Sequence, residues 1–276
     1  MFTINCKGKI LSTEVPLVMG IINITPDSFY KGHLDEGAEK ILAIAGKMIS
    51  EGADILDIGG QSTRPGSERL TAAEELKRVI PVIKLIRQQY KDIILSIDTY
   101  HSHVAEHAVN EGADIVNDIS AGEMDKQMIK TVASMQVPYI CMHMKGTPET
   151  MQKNISCNDI VKEVLDFFIR KTTECRLAGI HDVIIDPGFG FGKTISHNFE
   201  LLKNLAVFKM LDKPILAGVS RKSTIYKTLN IEVTDALNGT TVLNTIALNN
   251  GADILRVHDV KEAKEAVTLM SAYNNA

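Results

Sequence analysis

Three acidic or amide side chains, those of Asp98, Asn117 and Asp186, each stand at the end of a short apolar run. A carboxylate can accept two parallel N–H bonds from an amidine-like edge, so this set suits a flat heterocycle that is rich in N–H groups. Buried charges are costly unless they meet a partner. We therefore interpret these residues as one binding site and not as the solvent-exposed ends of unrelated strands.

A second set of polar residues has the opposite character. It consists of Asn23, Arg64, Arg256 and His258, which also follow apolar runs or the loops between them. The arginine fork matches the geometry of phosphate oxygens. One molecule that carries both a donor-rich ring and a phosphate tail would satisfy the two sets together.

A phrase that occurs three times indicates how these residues are positioned. It reads EGADILDIGG at 51–60, EGADIVNDIS at 111–120 and NGADILRVHD at 250–259. In each copy a glycine follows a helical stretch, where a left-handed residue commonly ends a helix. A short β-branched run comes next and is typical of a strand buried on both faces. Each copy predicts a helix end, a turn and a strand, and its polar tail marks the end of that strand.

Further apolar runs complete a set of eight predicted strands. The eight are 18–23, 54–58, 93–98, 114–118, 138–143, 182–186, 214–219 and 253–258. Helical patterns separate them at 35–51, 71–90, 102–111, 123–135, 156–178, 197–210, 234–249 and 260–273. Thr71 is predicted to cap the second of these helices, with Glu74 as its capping-box partner.

Eight alternations of strand and helix predict an α/β fold, a single (β/α)₈ barrel, for which about 250 residues is a typical length. No linker-like stretch divides the chain, so we predict one domain over 1–276. Residues 1–17 are predicted to form an N-terminal β-hairpin across the bottom of the barrel. Active sites of this fold lie at the C-terminal ends of the strands, where both polar sets stand.

Composition excludes several classes of partner and location. The net charge is −4, with 45% hydrophobic and 23% charged residues, so nothing indicates a nucleic-acid-binding surface. No apolar run reaches the roughly 18 residues that a membrane span needs, and the N-terminus lacks the pattern of a signal peptide. The four cysteines are widely spaced and are predicted to be free thiols in a reducing compartment. We predict a cytoplasmic protein.

The strand-end motifs are similar, in order, to the signatures of the dihydropteroate synthase family of pterin-binding barrels. They are VMGIINITPDSF (18–29), DIGGQSTRPGS (57–67), SIDTY (96–100), VNDIS (116–120), MHMKGTP (142–148), IIDPGFGFGKT (184–194), GVSRKS (218–223) and LRVHDV (255–260). Together they cover nearly the whole chain, so the resemblance is highly specific.

This resemblance implies a transferase of folate biosynthesis, the target of sulfonamides. The reaction would condense 6-hydroxymethyl-7,8-dihydropterin pyrophosphate with para-aminobenzoate to give 7,8-dihydropteroate and pyrophosphate. It also implies Mg²⁺ as cofactor and a homodimer. An aniline nitrogen is neutral at pH 7, so we expect departure of pyrophosphate first, then capture by the amine, without a dedicated general base.

The family's site residues carry over position by position. At the pterin the resemblance implies Asp98, Asn117, Met142, Asp186, Phe191, Gly218, Lys222 and Arg256, of which Asp98, Asp186, Lys222 and Arg256 are implied in catalysis. At the pyrophosphate it implies Asn23, Arg64, Arg256 and His258, with Asn23 also holding the metal. At the aminobenzoate it implies Phe29, Thr63, Pro65, Lys222 and Ser223. Loops 24–34 and 60–70 are expected to close over the substrates.

Two other functions are open to the same residues. A sibling barrel that transfers a methyl group from methyltetrahydrofolate to a corrinoid would share the pterin-gripping residues. It would not need the STRPG loop at 62–66 or the SRKS turn at 220–223. A module that binds a pterin without chemistry would not need the phosphate-binding set.

Three motifs suggest functions that we weigh as weaker. GFGFGKT (188–194) resembles a nucleotide-binding loop, but Pro187 replaces the first glycine of that pattern, so a turn lining the pterin slot is favoured. His103 and His107 are one helical turn apart and suggest a metal site, but a solvated helix face is favoured. His143 is open between a pocket wall and a core histidine.

Overall fold

The apolar runs form strands in a computed structural model, which describes residues 1–24, 34–61, 69–147 and 157–276. The strands are β1 (Thr3–Cys6), β2 (Lys9–Ser12), β3 (Leu17–Asn23), β4 (Ile55–Gly59), β5 (Ile94–Asp98), β6 (Ile115–Asp118), β7 (Tyr139–Met142), β8 (Val183–Asp186), β9 (Leu216–Ala217) and β10 (Ile254–Val257). All eight predicted strands are confirmed, since β3 to β10 form one parallel sheet.

That sheet curves into a barrel. Its strand order is β8-β7-β6-β5-β4-β3-β10-β9, with every pair parallel. A parallel bridge between Ile185 and Ile215 joins the two ends of the sheet. The predicted (β/α)₈ barrel is therefore confirmed.

Helices follow the barrel strands along the chain. They are α1 (Leu34–Ser50), α2 (Ala72–Gln89), α3 (Ser102–Asn110), α4 (Met128–Met135), α5 (Ile160–Ala178), α6 (Ile195–Lys203), α7 (Ser223–Leu229), α8 (Leu237–Asn249) and α9 (Val260–Asn274). The capping box of Thr71 and Glu74 at the start of α2 is confirmed. None of the described helices combines the length and the apolar character that crossing a membrane requires.

The helix bounds differ from prediction in several places. The helix predicted from 156 begins at Ile160, because Asp159 caps it, and the helix predicted from 234 begins at Leu237, after a 3₁₀ turn at Val233–Asp235. The helix predicted from 123 begins at Met128, because Asp125 instead accepts hydrogen bonds from the backbone N–H groups of Ser102 and Gln127. The helix predicted over 197–210 is divided into α6 and a 3₁₀ helix at Leu205–Leu211. The short helix α7 was not predicted, because its seven residues are too few to show a helical period.

The repeated phrase has a structural role at the bottom of the barrel. Its three glycines, at 52, 112 and 251, have φ of +96°, +118° and +96°, which confirms the predicted left-handed helix ends. The aspartate two residues later accepts a hydrogen bond from a backbone N–H near the start of the preceding strand or just before it. These bonds join Asp54 to Val18, Asp114 to Leu95 and Asp253 to Ile215, at 2.8–2.9 Å. Each copy thereby attaches one strand to the preceding strand.

The hairpin of β1 and β2 closes the bottom of the barrel, as predicted. Its residues Ile4 and Cys6 pack into a buried cluster with inward-facing residues from every barrel strand. The cluster includes Met19, Ile55, Ile94, Ile115, Ile140, Ile184, Leu216 and Ile254. The N-terminal half of the interior is thus filled by apolar side chains, and polar residues can enter only at the opposite end.

Candidate active site

Side chains alternate between the two faces of each strand, and this alternation places the site residues above the apolar cluster. Successive strand residues point to opposite faces, so the residue two positions after a cluster member also faces inward. This rule brings the following residues to the upper part of the barrel: Asp57, Asn117, Met142, Asp186, Gly218 and Arg256. Asp98 and Asn23 lie four residues after Ile94 and Met19, on the same face.

Arg256 connects the acidic residues at the centre of the site. Its Nε donates to Oδ2 of Asp57 at 2.6 Å, and its Nη2 donates to Oδ2 of Asp98 at 2.6 Å. Nδ2 of Asn117 donates to the same oxygen of Asp57 at 3.0 Å. The two polar sets, which the sequence analysis treated as separate, therefore meet at Arg256.

The charges of this cluster depend on one another. Burial raises the pKa of Asp98 to about 7, although the guanidinium of Arg256 acts in the opposite direction. Burial also acts to lower the pKa of Arg256, but the carboxylates of Asp57 and Asp98 outweigh it, and the net pKa is raised. The guanidinium therefore stays charged, whereas burial makes Asp98 easier to protonate than an exposed carboxyl group. A ligand that donates N–H bonds to Asp98 would favour its ionised form.

Asp186 and Lys222 add two further ionisable groups to the site. The backbone N–H of Gly188 donates to Oδ1 of Asp186 at 2.7 Å. Lys222 donates to the carbonyl oxygen of Phe189, and its Nζ lies 4.9 Å from the centre of the Phe191 ring. Burial raises the pKa of Asp186, and the charge of Lys222 opposes this. Burial lowers the pKa of Lys222 to about 8, against the pull of Asp186.

Apolar side chains form one wall beside these charges. Tyr100, Ile119, Met142 and Phe191 make a buried cluster, separate from the rest of the core. Two aromatic rings and a thioether beside carboxylates suit the faces and edges of a flat polar ring.

The residues expected at the phosphate lie at the outer rim. Asn23 is exposed at the end of β3, beside Gly59. His258 is also exposed, and its Nδ1 lies 3.0 Å from Oγ of Ser220. Partial desolvation and the charge of Arg256 lower the pKa of His258, so its ring is neutral at pH 7. Arg64 lies outside the described residues, as do Phe29, Thr63 and Pro65 of the aminobenzoate set, while Ser223 is described and begins α7.

Asn23 is the rim residue to which the family resemblance assigns a metal. Asn23 could supply a neutral amide oxygen, and Mg²⁺ commonly uses few protein ligands together with substrate phosphates and water. The described residues contain one group of three potential ligands within 4.8 Å, formed by His103, Glu106 and His107. All three are exposed on helix α3. Glu106 is a third potential ligand that the sequence analysis did not include, so the solvated helix face stays a prediction.

The loop that resembles a nucleotide-binding motif has another structure. Glycines 188, 190 and 192 all have positive φ, and Lys193 is 3% exposed with its ammonium group hydrogen-bonded to protein atoms. A phosphate-binding lysine would have to reach a bound nucleotide. His143 is buried beside Lys193, so it is a core histidine and does not face the slot.

Sequence reasoning missed two residues of the site. Asp57 is the first residue of the motif at 57–67 but has no predicted role, and Ser220, the partner of His258, enters the sequence analysis only as part of the turn at 220–223. The signal for Asp57 was available, because it lies two residues after Ile55 and so shares the inward face. The signal for Ser220 was absent, since a hydroxyl that supports a histidine has no characteristic spacing.

The chain is similar in sequence to known proteins over nearly its whole length. The sequence profile of the family described as "Pterin binding enzyme" matches residues 19–258. The dihydropteroate synthase of Escherichia coli strain K12 is 41% identical over 268 residues, which cover 96% of this chain and 94% of that protein.

Two solved structures from Xanthomonas albilineans are similar over nearly their full length. A dihydropteroate synthase with 4-aminobenzoic acid has a TM-score of 0.92 and 38% identity, covering 99% of this chain and 98% of that one. A dihydropteroate synthase in complex with 7,8-dihydropteroate has a TM-score of 0.88 and 36% identity, covering 99% of each chain.

Proposed function

The chain belongs to the dihydropteroate synthase family of pterin-binding enzymes, and on this premise we propose how its residues carry out the family's reaction. The reaction condenses 6-hydroxymethyl-7,8-dihydropterin pyrophosphate with para-aminobenzoate, giving 7,8-dihydropteroate and pyrophosphate. The enzyme is a transferase of folate synthesis, and its substrates are small molecules.

The pterin binds among the inward-facing acidic residues. Asp98, Asn117 and Asp186 accept hydrogen bonds from its amino and ring N–H groups, and Lys222 donates to the ring. Met142 and Phe191 cover its faces, and Gly218 leaves room because it has no side chain. The proposal is supported by Oδ1 of Asp57, a buried oxygen without a hydrogen-bond partner among the described residues. A buried acceptor of this kind calls for a donor from a ligand or from water.

Arg256 has two functions in this proposal. Its guanidinium neutralises the carboxylates of Asp57 and Asp98 in the free enzyme, which limits the cost of burying them. When the pterin is bound, the planar guanidinium lies against the ring and presents its outer edge to the diphosphate. One residue then contacts both parts of the substrate.

The diphosphate binds at the rim beside Asn23, Arg64, Arg256 and His258. One Mg²⁺ ion, held by Asn23 and diphosphate oxygens, would supply charge neutralisation that eases departure of pyrophosphate. Arg256 stays charged at all working pH values and holds the same negative charge as the C–O bond breaks. The aminobenzoate binds next to Lys222 and Ser223, with Phe29, Thr63 and Pro65 as further contacts.

The chemistry exchanges one C–O bond for one C–N bond. Pyrophosphate leaves with the bonding electrons, and the remaining CH₂ carbon is an electron-poor centre that the pterin ring stabilises. The lone pair of the aniline nitrogen captures this carbon, and the nitrogen then loses a proton to water. No side chain has to remove a proton before the attack, because the aniline nitrogen is neutral at pH 7.

The observation that carries this assignment is the buried carboxylate of Asp186 at the end of β8. We expect Asp186→Asn to weaken pterin binding and to lower turnover by about 100-fold, because a neutral amide replaces a charged acceptor. Pyrophosphate release, measured with and without para-aminobenzoate, tests it.

The same assay separates the alternative functions. Release of pyrophosphate in step with formation of dihydropteroate identifies the synthase. A methyl transfer from methyltetrahydrofolate, or pterin binding without any release, would identify the two alternatives. Normal binding and turnover of the Asp186→Asn enzyme would refute the role given to Asp186.

We propose further that the enzyme is one domain over 1–276 and a cytoplasmic homodimer without nucleic-acid or membrane partners. A reducing compartment is supported by the four free cysteines, of which Cys6, Cys141 and Cys175 are buried. A dimer is supported by exposed apolar side chains on neighbouring helices, with Val242 and Ile246 on α8 and Leu269 and Tyr273 on α9. Each pair is spaced by four residues and therefore lies on one helix face.

A further inference from the structure

Lys193 is a buried lysine directly behind the proposed pterin slot. It is 3% exposed, and a lysine is rarely buried to this degree unless its ammonium group has partners. Its Nζ lies within hydrogen-bond distance of four acceptors, at 2.9–3.1 Å. They are Nδ1 of His143, the carbonyl oxygen of His143, and the carbonyl oxygens of Gly188 and Phe191.

These acceptors belong to two separate segments of the chain. His143 follows β7, whereas Gly188 and Phe191 follow β8. The residues just before and within these segments, Met142 and Phe191, form the apolar wall of the slot. The ammonium group therefore connects the two strand ends from which that wall is built.

The close approach of these two segments is confirmed by their glycines. A Cβ atom at Gly188 would overlap the carbonyl oxygen of His143, and one at Gly192 would overlap the carbonyl oxygen of Lys145. Both glycines have positive φ. The two segments meet backbone to backbone, and Lys193 donates to buried carbonyl groups of both segments. The carbonyl of Gly188 also accepts from the N–H of Phe191.

His143 extends this network to the surface. Because its Nδ1 accepts from Lys193, its Nε2 carries the hydrogen, and Nε2 lies 3.8 Å from Oε1 of Glu163. The other oxygen of Glu163 accepts from Lys145 at 2.9 Å. Burial and the charge of Lys193 lower the pKa of His143 to about 2, so the ring is neutral and acts as an acceptor.

Lys193 also affects Asp186 through its charge. Burial lowers the pKa of Lys193 to about 7, and the charge of Asp186 opposes this. Burial raises the pKa of Asp186, and the charged form of Lys193 opposes this together with Lys222 and Arg256. Loss of this charge would raise the pKa of Asp186 further and favour the protonated form. A protonated carboxyl group cannot accept two N–H bonds from a pterin edge.

We propose that Lys193 is a positioning residue for the pterin: it holds the segments after β7 and β8 together, so that the slot wall and the Asp186 carboxylate are in place before the substrate arrives. The inference rests on the proposed pterin site. Lys193 contacts no substrate and acts through the residues that it positions. This role also explains why the loop at 188–194 has the lysine of a nucleotide-binding motif but binds no nucleotide.

The test compares Lys193→Met with Lys171→Met in the full-length enzyme. Lys171 is the matched control, because it is also 3% exposed but lies on the outer helix α5, where it pairs with Glu174 of the same helix and with Glu123 of the segment before α4. Binding of 6-hydroxymethyl-7,8-dihydropterin is measured by calorimetry, and the KM values for both substrates are measured by pyrophosphate release. Thermal unfolding is recorded for every variant.

We expect Lys193→Met to raise the pterin Kd at least about tenfold and to raise the KM for para-aminobenzoate less than about twofold. Lys171→Met should lower thermal stability and leave the pterin Kd unchanged. An unchanged Kd in folded Lys193→Met overturns the proposal. An equal loss of affinity in Lys171→Met also overturns it, because general loosening would then be the cause. A wild-type enzyme that bound no pterin would instead refute the proposed function.

A second measurement applies if Lys193→Met does not fold. In the wild-type enzyme the backbone N–H groups of Gly188, Gly190 and Phe191 are hydrogen-bonded. If Lys193 holds the loop in place, these N–H groups are protected from exchange with solvent even when no ligand is bound. Hydrogen exchange should therefore be slow at these amides and should change little when the pterin is added. Fast exchange that becomes slow only with the pterin would overturn the proposal.

Discussion

The carboxylate of Asp57 is fully buried at the centre of the site and binds both Arg256 and Asn117. We expect Asp57→Asn to raise the pterin Kd about 10- to 100-fold, or about 1.4–2.8 kcal/mol, because Arg256 would keep only Asp98 as an anionic partner. Calorimetric titration with 6-hydroxymethyl-7,8-dihydropterin measures this change.

Asp54 provides the control for that substitution. It precedes the same strand at the other end of the barrel, where it pairs with Lys264 and accepts the N–H of Val18. Asp54→Asn should lower the free energy of unfolding by about 1–3 kcal/mol and leave the pterin Kd within about twofold. Equal losses of affinity in both variants would contradict the role given to Asp57.

Individual residues differ in how far the sequence predicts them. Asp98, Asn117 and Asp186 could be predicted because each interrupts an apolar run, and the structure brings them to one face of the barrel. The contact of Arg256 with Asp57 could not be predicted, because the two residues are 199 positions apart and only closure of the barrel makes them neighbours. The position of Lys193 could not be predicted, because the GFGFGKT motif resembles a nucleotide-binding loop and does not reveal that the lysine side chain is buried.

The loop after β8 is the element in which backbone conformation matters most. We expect Gly188→Ala to abolish pterin binding, because φ is +70° and the new methyl group would overlap the carbonyl oxygen of His143. Gly179→Ala is the matched control, since Gly179 has φ +94° but has open space around its Cβ position. That variant should lose only about 1–2 kcal/mol of stability from backbone strain. Pterin titration and urea unfolding of both proteins test this, and equal behaviour of the two variants would contradict it.

Helices and strands were predicted well where the sequence pattern that indicates them lies within the element or at its ends. The strands and most helices follow from apolar periods and from glycines that end helices. Helix α7 was missed because seven residues make two turns, and α6 was extended too far because Leu205–Leu211 continues the helical period in the 3₁₀ form. The capping of α6 by Thr194 was missed because the third residue of that helix is His197, which is not the glutamate or glutamine typical of a capping box.

At the scale of the whole molecule, the apolar face of α8 and α9 predicts association of two chains. We expect Val242→Glu to convert the dimer to a monomer in sedimentation velocity, because it would bury two charges at a symmetric interface. Leu177→Glu is the control, since Leu177 is 75% exposed on α5, which packs between α4 and α6. A monomeric wild-type enzyme, or a Val242→Glu variant that still dimerises, would contradict the proposed homodimer.

The aspartate bonds at the bottom of the barrel have a consequence for how the chain folds. They span only 36, 19 and 38 residues, so each closes a short loop at little entropic cost. Strand pairs can therefore associate as they leave the ribosome, since each pair has all its partners once its second strand is free. The pairing of β10 with β3 differs, because it joins residues 254–257 to 17–20 and so leaves β3 without this partner until almost the entire polypeptide has been synthesised.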